Sequence, residues 1–387
     1  MESKINHVFL SYTDGYPVKF SAANTKFGFL GKGLVSLGDE VHTINKVYGT
    51  NNVAPEKGET DGIIYHSFVH RGNKIVATII NTFRVLFLIN TLFSKQKQNV
   101  LYIGCGNVFV FYPILLFSKI KGYKSAFIFE EWQPGMDFKG LYKLNAEIHG
   151  KYFGYSFDCI IPISEFLIEK SKKFGKPLFK LPICADFSNY ENEYHYKSYK
   201  EQYFLYCAAL GYRQALDFVL QSFEKAFADS NEIYLHLVLV GTEKEIDEFK
   251  HSISPKISKQ VTVYTNLPYN NLLDEYSNSL GLLIPLFENR ITDIARFSQK
   301  ISEYLTSKRP ILSTNVGEIT QYFKNGDNMY ISNSGDISAY SEMMKKVVTY
   351  PLEANNIGKN GFEYGKKMFD YRVLSKQLRD FIQSTVK

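Results

Sequence analysis

Pro285-Leu-Phe-Glu-Asn-Arg290-Ile-Thr-Asp-Ile-Ala295-Arg-Phe-Ser-Gln-Lys300-Ile-Ser-Glu-Tyr-Leu305-Thr-Ser-Lys-Arg-Pro310-Ile-Leu-Ser-Thr-Asn315-Val-Gly-Glu318 is the stretch whose reading decides the fold. An apolar run, Leu282–Pro285, reads as a strand that closes on a polar loop, and a helical spacing begins near Ser298, which stands as an N-cap. Ile311–Ser313 is then a second short strand. Strand, helix and strand in succession predict parallel pairing through a crossover. A helix that starts beyond the carboxyl end of a strand points free backbone N–H groups at an anion such as a diphosphate. Glu303 lies about a turn and a half inside that helix. There a carboxylate can accept two hydrogen bonds from a cis-diol such as a ribose; the same residue equally fits the solvent face of an amphipathic helix.

The pattern repeats outward in both directions. Upstream, strands are expected near Val8–Ser11, Val41–Ile44, Ile63–His66, Val100–Ile103, Ala126–Phe129 and Cys159–Pro162, with helices between most of them. The Tyr-, Asn-, Glu- and Lys-rich run 189–202 has no apolar period and reads as a linker. A second set follows, with strands at Phe204–Ala208, Leu235–Val240, Val261–Tyr264, Leu282–Pro285 and Ile311–Ser313. Helices are expected at Ala215–Phe227, Glu243–His251, Asn270–Ser277, Lys300–Thr306 and Ile319–Phe323, and the chain beyond Asp336 is purely helical. This predicts an α/β chain of two Rossmann-like, doubly wound parallel-sheet domains, 1–190 and 203–365. A C-terminal helix, 366–387, is expected to pack back toward the first domain. Ligands of such sheets bind beyond the carboxyl ends of the strands, so a cleft between the domains is the expected site.

With 387 residues, 45% hydrophobic and 22% charged, the chain is too apolar to be disordered. Its net charge of +6 is uneven: residues 1–197 carry 23 basic and 17 acidic side chains, residues 198–387 carry 22 of each. No Asp or Glu occurs between Asp61 and Glu130, where Arg71, Lys74, Arg84, Lys95, Lys97, Lys119, Lys121 and Lys124 all lie. Such a segment suits an anionic partner, an anionic membrane surface among the candidates, while so modest an excess argues against nucleic acid. Cys105, Cys159, Cys184 and Cys207 are scattered through apolar runs without a C-x-x-C pair, as expected of buried free thiols in a reducing cytoplasm. The N-terminus has no signal core. Asn81, Arg84 and Asn90 interrupt the apolar run Ile75–Phe93, so a covered amphipathic helix is expected there rather than a membrane span.

Three other places carry candidate chemistry. Tyr12-Thr-Asp-Gly15-Tyr-Pro fills the loop after the first strand, and Gly15 permits close backbone approach or simply makes a turn. Glu130-Glu131-Trp132 follows an apolar strand; adjacent side chains cannot share a face, and Glu131 is taken as the inward one, a sugar or acceptor contact. Asp137 and His149 are further candidates, and Trp132 either stacks on a sugar or anchors the fold. Asn99-Val-Leu-Tyr-Ile-Gly-Cys-Gly-Asn-Val108 resembles the first motif of S-adenosylmethionine-dependent methyltransferases. It lacks the acidic strand residue and the third Gly, which leaves that activity a distant third reading. No Walker phosphate loop, His-Glu-x-x-His pair, Gly-x-Ser-x-Gly elbow or Asp-x-Asp occurs.

The opening stretch resembles the donor-binding region of the retaining family-4 glycosyltransferases, which have the GT-B fold and take a nucleotide-diphosphate sugar. Against the family pattern Glu-Gly-Phe-Gly-x-x-x-x-Glu-Ala, Ala295-Arg-Phe-Ser-Gln-Lys-Ile-Ser-Glu303-Tyr aligns without a gap, and Arg309-Pro-Ile-Leu-Ser-Thr-Asn-Val-Gly317-Glu continues the match. Phe297 and Glu303 are matched; Ala295 replaces the family's first Glu. Leu205-Tyr-Cys-Ala-Ala-Leu-Gly-Tyr-Arg213-Gln is similar to the strand and basic loop that open the family's second domain. Arg213 matches the basic pair and Gln214 departs from it, with Lys300 able to supply the missing charge.

The resemblance implies a retaining, metal-independent glycosyltransferase that moves a sugar from a UDP- or GDP-sugar to a glycan or lipid-diphosphate-linked acceptor in bacterial surface polysaccharide synthesis, with no resident cofactor. It further implies that Glu303 holds the ribose and that Phe297, Ser298 and Gln299, with Arg213, Lys300 and Gly15, take the donor. Catalytic roles stay open among Glu131, Arg213 and Lys300. Ala295 motivates the alternative of a non-catalytic nucleotide-binding scaffold.

Overall fold

The computed structural model of the chain describes residues 4–19, 21–46, 55–68, 72–133, 135, 138–188, 202–265 and 267–385. The linker expected at 189–202 and the candidate Asp137 lie outside these residues, Gln202 excepted. Two units emerge: one of residues 1–185, 295–299 and 369–387, the other of 186–294 and 300–368.

The first unit comprises β1 (Ile5–Leu10), α1 (Ala22–Ser36), β2 (Glu40–Ile44), β3 (Lys57–Thr60), β4 (Ile63–His66), α2 (Lys74–Leu92), β5 (Gln98–Ile103), α3 (Val108–Lys121), β6 (Lys124–Phe129), α4 (Gly140–Lys151), β7 (Cys159–Pro162) and α5 (Glu165–Lys172). The strands lie in the order β3-β4-β2-β1-β5-β6-β7. All neighbours are parallel except β3 and β4. Every residue of β1 is buried, as a central parallel strand covered on both faces must be. Its polar pair is bonded internally: the Asn6 side-chain amide donates to the Leu92 carbonyl at 2.7 Å, and His7 Nδ1 meets the Tyr102 hydroxyl at 2.8 Å. β3 is an antiparallel strand absent from the sequence reading. Asp61 and Gly62, at φ 52° and 77°, form the two-residue turn that joins it to β4.

The second unit comprises β8 (Gln202–Ala209), α6 (Arg213–Phe227), β9 (Ile233–Val240), α7 (Glu243–His251), β10 (Val261–Thr265), α8 (Tyr269–Asn278), β11 (Gly281–Ile284), α9 (Ile291–Ala295), α10 (Gln299–Thr306), β12 (Ile311–Thr314), α11 (Ile319–Tyr322), β13 (Tyr330–Ser332), α12 (Ile337–Thr349) and α13 (Pro351–Phe369). Its six strands, in the order β10-β9-β8-β11-β12-β13, are all parallel. α6 packs Leu216, Val219 and Phe223 onto this sheet, and α7 starts from a full capping box in which Thr242 and Glu245 satisfy each other's backbone.

The last helix, α14 (Tyr371–Thr385), belongs to the first unit and lies against α1. A Cβ on Gly33 would fall 2.1 Å from Ser375 Oγ, so the bare glycine sets how closely the two helices approach. Arg379 on α14 donates from Nε to Asp39 Oδ2 at 2.8 Å, and the Ile5 amide donates to the other oxygen at 2.9 Å. Burial pushes the Asp39 carboxyl up. The hydrogen bonds from His7, Ile5 and Arg379 outweigh that cost and hold it below the usual range.

One expectation is overturned. α2 is a helix, but it is not covered. Only Ala77, Asn81, Val85 and Ile89 are buried, a strip at intervals of four. Ile75, Ile79, Phe83 and Phe87 stand 53–72% exposed. Apolar residues run around the whole circumference, and one narrow stripe suffices to seat the helix on its neighbours.

Candidate functional site

In the second sheet the chain leaves β8 toward β9 and β10 on one side and returns through β11, β12 and β13 on the other. The order therefore reverses between β8 and β11, which is where open α/β sheets place ligands. β11 pairs with β8 only as far as Tyr206. The next residue, Cys207, gives both backbone groups to α10: its amide donates to the Tyr304 hydroxyl at 3.3 Å, and its carbonyl accepts from Lys300 Nζ at 2.7 Å. Glu303, one turn along from Lys300, is 6% exposed and hydrogen-bonded by Tyr276. Burial raises its carboxyl strongly; Lys300 and Tyr276 pull it part of the way back, to about 7. A carboxyl poised near neutrality beside a lysine, at the switch point of a parallel sheet, is a site prepared for a polar ligand.

The loops beyond the carboxyl ends of β8, β11, β12 and β13 converge on this place. The Thr314 hydroxyl accepts from the Leu286 amide at 2.8 Å and donates to its carbonyl at 2.7 Å. The Glu288 amide donates to Ser334 Oγ at 3.2 Å. Gly317 is left-handed, at φ 57°, and a Cβ there would lie 2.9 Å from the Asp293 carbonyl. Only glycine lets the loop after β12 close on α9. Arg290, unnoticed in the sequence, stacks its guanidinium over the Tyr212 ring at 4.9 Å and approaches Asp293 at 3.7 Å. It places a cation between the loops after β8 and β11. Position within Pro285–Arg290, immediately after a strand, was the available signal.

The expected donor residues are distributed unevenly. Arg213 is exposed at the start of α6, donating to Asp217 Oδ1 at 2.8 Å and Ser252 Oγ at 2.9 Å, over the Phe249 ring. Residues 295–299 belong to the first unit. There Phe297 is buried edge-on against Phe369, and the Gln299 amide brackets the Cys184 peptide, accepting from its N–H and donating to its carbonyl. Ser298 directly precedes α10 and is partly buried. Ala295 is buried, and its carbonyl accepts from Ser164 Oγ at 2.5 Å.

The first sheet has its own reversal, between β1 and β5. Gly15 is buried at φ 66° in the loop after β1, and its carbonyl accepts from the Val18 and Lys19 amides, so it makes a turn. Asn24 and Asn45, both buried, lace that loop through the backbone of Asp14 and Tyr16. Of the adjacent acids it is Glu130, rather than Glu131, that turns inward. It accepts from the Tyr12 hydroxyl at 2.8 Å and from buried Lys26 at 2.5 Å, while Glu131 is exposed. Lys26 also donates to the Leu181 carbonyl at 3.2 Å. Nothing in the sequence distinguished that lysine from a surface one. His149 is buried among Phe127, Phe129 and Phe153, which drives its pKa to about 4, and Trp132 is half-buried between Phe129 and Phe166. None of the four cysteines is in a disulfide, and burial pushes their thiols up to about 11 or 12. Among the described residues no cluster of three His, Cys, Asp or Glu side chains suits a metal.

Residues 191–364 match the sequence model of the family described as glycosyl transferases group 1. The match falls almost wholly within the second unit. The switch point, Glu303 and Arg290 all lie inside it. No curated protein matches the chain in sequence. In structure it is similar to sucrose-phosphate synthase from Thermosynechococcus elongatus, at 13% identity and a TM-score of 0.73 over 98% of both chains. It is also similar to trehalose-6-phosphate from E. coli bound with UDP-2-fluoro glucose, at 9% identity and a TM-score of 0.69 over 98% of this chain and 99% of that one. A UDP-forming alpha,alpha-trehalose-phosphate synthase from Burkholderia xenovorans in complex with glucose-6-phosphate gives 9% identity and a TM-score of 0.66 over 97% and 100%. At these identities the likeness establishes the fold, which is the GT-B fold, with the residues matched by the group 1 model in its second half.

Proposed function

We propose that the chain is a retaining glycosyltransferase that moves a sugar from a nucleotide-diphosphate donor, UDP or GDP, to a glycan or lipid-diphosphate-linked acceptor in bacterial surface polysaccharide synthesis, without a metal. The observation that carries this reading is Glu303: a buried carboxyl at the β8/β11 reversal of the second unit, held by Tyr276 beside Lys300. In its ionised form it accepts both hydroxyls of the donor ribose. The departing nucleotide diphosphate gains negative charge as the glycosidic bond breaks, and preorganised donors must meet that charge. Lys300, Arg290 and the amides at the start of α10 are offered for this, with Arg213 further out on its Asp217 tether. The acceptor hydroxyl attacks on the face from which the diphosphate leaves and passes its proton to the leaving phosphate, so no protein nucleophile is required. Acceptor binding is assigned to the first unit, beyond β1 and β5. Four cysteines outside any disulfide fit a cytoplasmic enzyme.

Thermal shifts with UDP, GDP and S-adenosylmethionine test the donor class. A nucleoside diphosphate should stabilise the protein and Glu303→Ala should abolish the shift; a shift unchanged in that variant sinks the ribose assignment. Ala295 favours a second reading, a nucleotide-binding scaffold without turnover. A buried methyl stands where the family has a carboxylate, and Asp293, two residues earlier, is committed to the Phe287 amide at 3.1 Å. Binding without hydrolysis or transfer of any nucleotide sugar would select it.

A further inference from the structure

Right-handed crossovers place α2, α3 and α4 on one face of the first sheet, and α2 packs on α3 as α3 does on α4. That face is apolar on its outside. Besides the row on α2, Leu116 and Ile120 of α3 are 63% and 75% exposed, and Leu141 and Tyr142 of α4 are 74% and 77% exposed. Scattered exposed apolar residues are ordinary; three adjacent helices presenting them together mark an interaction site. α2 is also the one described helix long and apolar enough to cross a membrane, with 22% of its most apolar window buried. Spanning is incompatible with its seat: Ala77, Asn81, Val85 and Ile89 are buried in the unit, and Tyr123 Oη donates to the Ile89 carbonyl at 2.9 Å.

The charges around the face are mainly positive. No acidic residue lies on α2 or α3, and Lys74, Arg84, Lys95, Lys121, Lys139 and Lys143 form no ion pair among the described residues. Of the acids that approach, Asp158 and Glu147 face Lys119 and Lys151 at 3.5 Å each, and Glu56 lies beside Arg84 at the edge of α2. Apolar side chains rimmed by unneutralised lysine and arginine match the acyl boundary and the phosphates of an anionic bilayer. A second copy of the same face would set these cations against each other. At the edge of α2, Phe83, Phe87 and Leu88 line a cavity of about 610 Å³ with Lys57, Arg84, His66 and a single acid, Glu56, room for part of one lipid.

We infer that the outer face of α2, α3 and α4 is a peripheral docking surface for an anionic phospholipid bilayer. This stands apart from the sugar-transfer reading, since it concerns one face of one unit and its test involves no nucleotide. The full chain is floated with vesicles of phosphatidylcholine alone and of phosphatidylcholine with phosphatidylglycerol, at low and high salt. The expected result is binding to the anionic vesicles, reduced roughly tenfold or more by high salt, by Arg84→Glu with Lys121→Glu, and by Phe83→Glu with Phe87→Glu. All four positions are exposed or partly exposed, so the variants should unfold at the wild-type temperature. Should one pair misfold, Ile120→Glu on α3 replaces it. No binding, equal binding to neutral and anionic vesicles, or wild-type binding by the variants would overturn the inference. So would a concentration-dependent dimer in sedimentation velocity that the Phe83 and Phe87 changes abolish, which would assign the face to self-association.

Discussion

Replacing Glu303 by Gln keeps the shape of the side chain and removes one titration. In the folded protein burial lifts that carboxyl to about 7 against an ordinary value of 4.5. The native state therefore holds a proton that the unfolded chain has released between those two values. A carboxyl raised in this way contributes its full stability below pH 4.5 and loses it as pH rises through 7. The difference of about 2.5 units corresponds to about 3 kcal/mol of stability that wild type loses across the window and the Gln variant does not. Denaturant unfolding of both proteins at intervals from pH 5 to pH 8 reads this directly. The Gln variant should gain on wild type by about 2–3 kcal/mol between the ends of the series, with unchanged m-values. A wild-type-minus-variant difference constant across that range would show that Glu303 is solvated or already ionised, and the buried, poised carboxyl would have to be abandoned.

Lys300→Met removes the cation that lowers the Glu303 carboxyl, so the same pH series should show the loss of stability displaced to higher pH; an unmoved profile would mean that the two groups do not interact. Arg379→Leu leaves Asp39 buried without the cation that ties α14 to the first unit, and a loss of about 3–5 kcal/mol in denaturant unfolding is expected. A loss below about 1 kcal/mol, the range of a surface pair, would contradict the burial of that bond. Gly317→Ala forces a side chain into a left-handed position 2.9 Å from a carbonyl. It should cost about 1–3 kcal/mol and weaken nucleotide binding together with stability, whereas Gly211→Ala, in open space, should do neither.

The parallel strands other than β13 were legible because each is a short, largely apolar run between turn signals, whereas Tyr330–Ser332 is only three residues long and was not read. Their bounds come within three residues of those observed. β3 was missed because Lys57-Gly-Glu-Thr60 is polar and lies at a sheet edge. Its turn, Asp61-Gly62, is nevertheless the strongest short hairpin signal available, and the residues on either side should have been read from it. α9 was missed because five residues are too few to show a period.

Side-chain direction was less legible than element order. The alternation that puts one of two adjacent glutamates inward does not say which; the choice is made by Lys26 and Tyr12, distant in sequence, which hold Glu130. Phe297 and Gln299 lie in a segment aligned to a donor-site pattern, and their side chains pack on Phe369 and bond the Cys184 peptide, contacts that no local pattern encodes. The exposure of α2 inverted the expectation of a covered helix for the same reason. Composition shows how apolar a helix is, and only the packing shows how little of it the neighbours can cover. The acid-free charge of that region, read from the sequence alone, became informative once the apolar face was known to be open.

The central claim is that the second unit binds a nucleotide sugar through Glu303 and turns it over. Slow hydrolysis across a panel of UDP- and GDP-sugars, followed by release of the nucleoside diphosphate, tests it most directly. One donor should be hydrolysed by wild type, with the rate lost in Glu303→Ala and no change on adding a chelator. Release from none of the panel by wild type, or equal release by Glu303→Ala, would contradict the account.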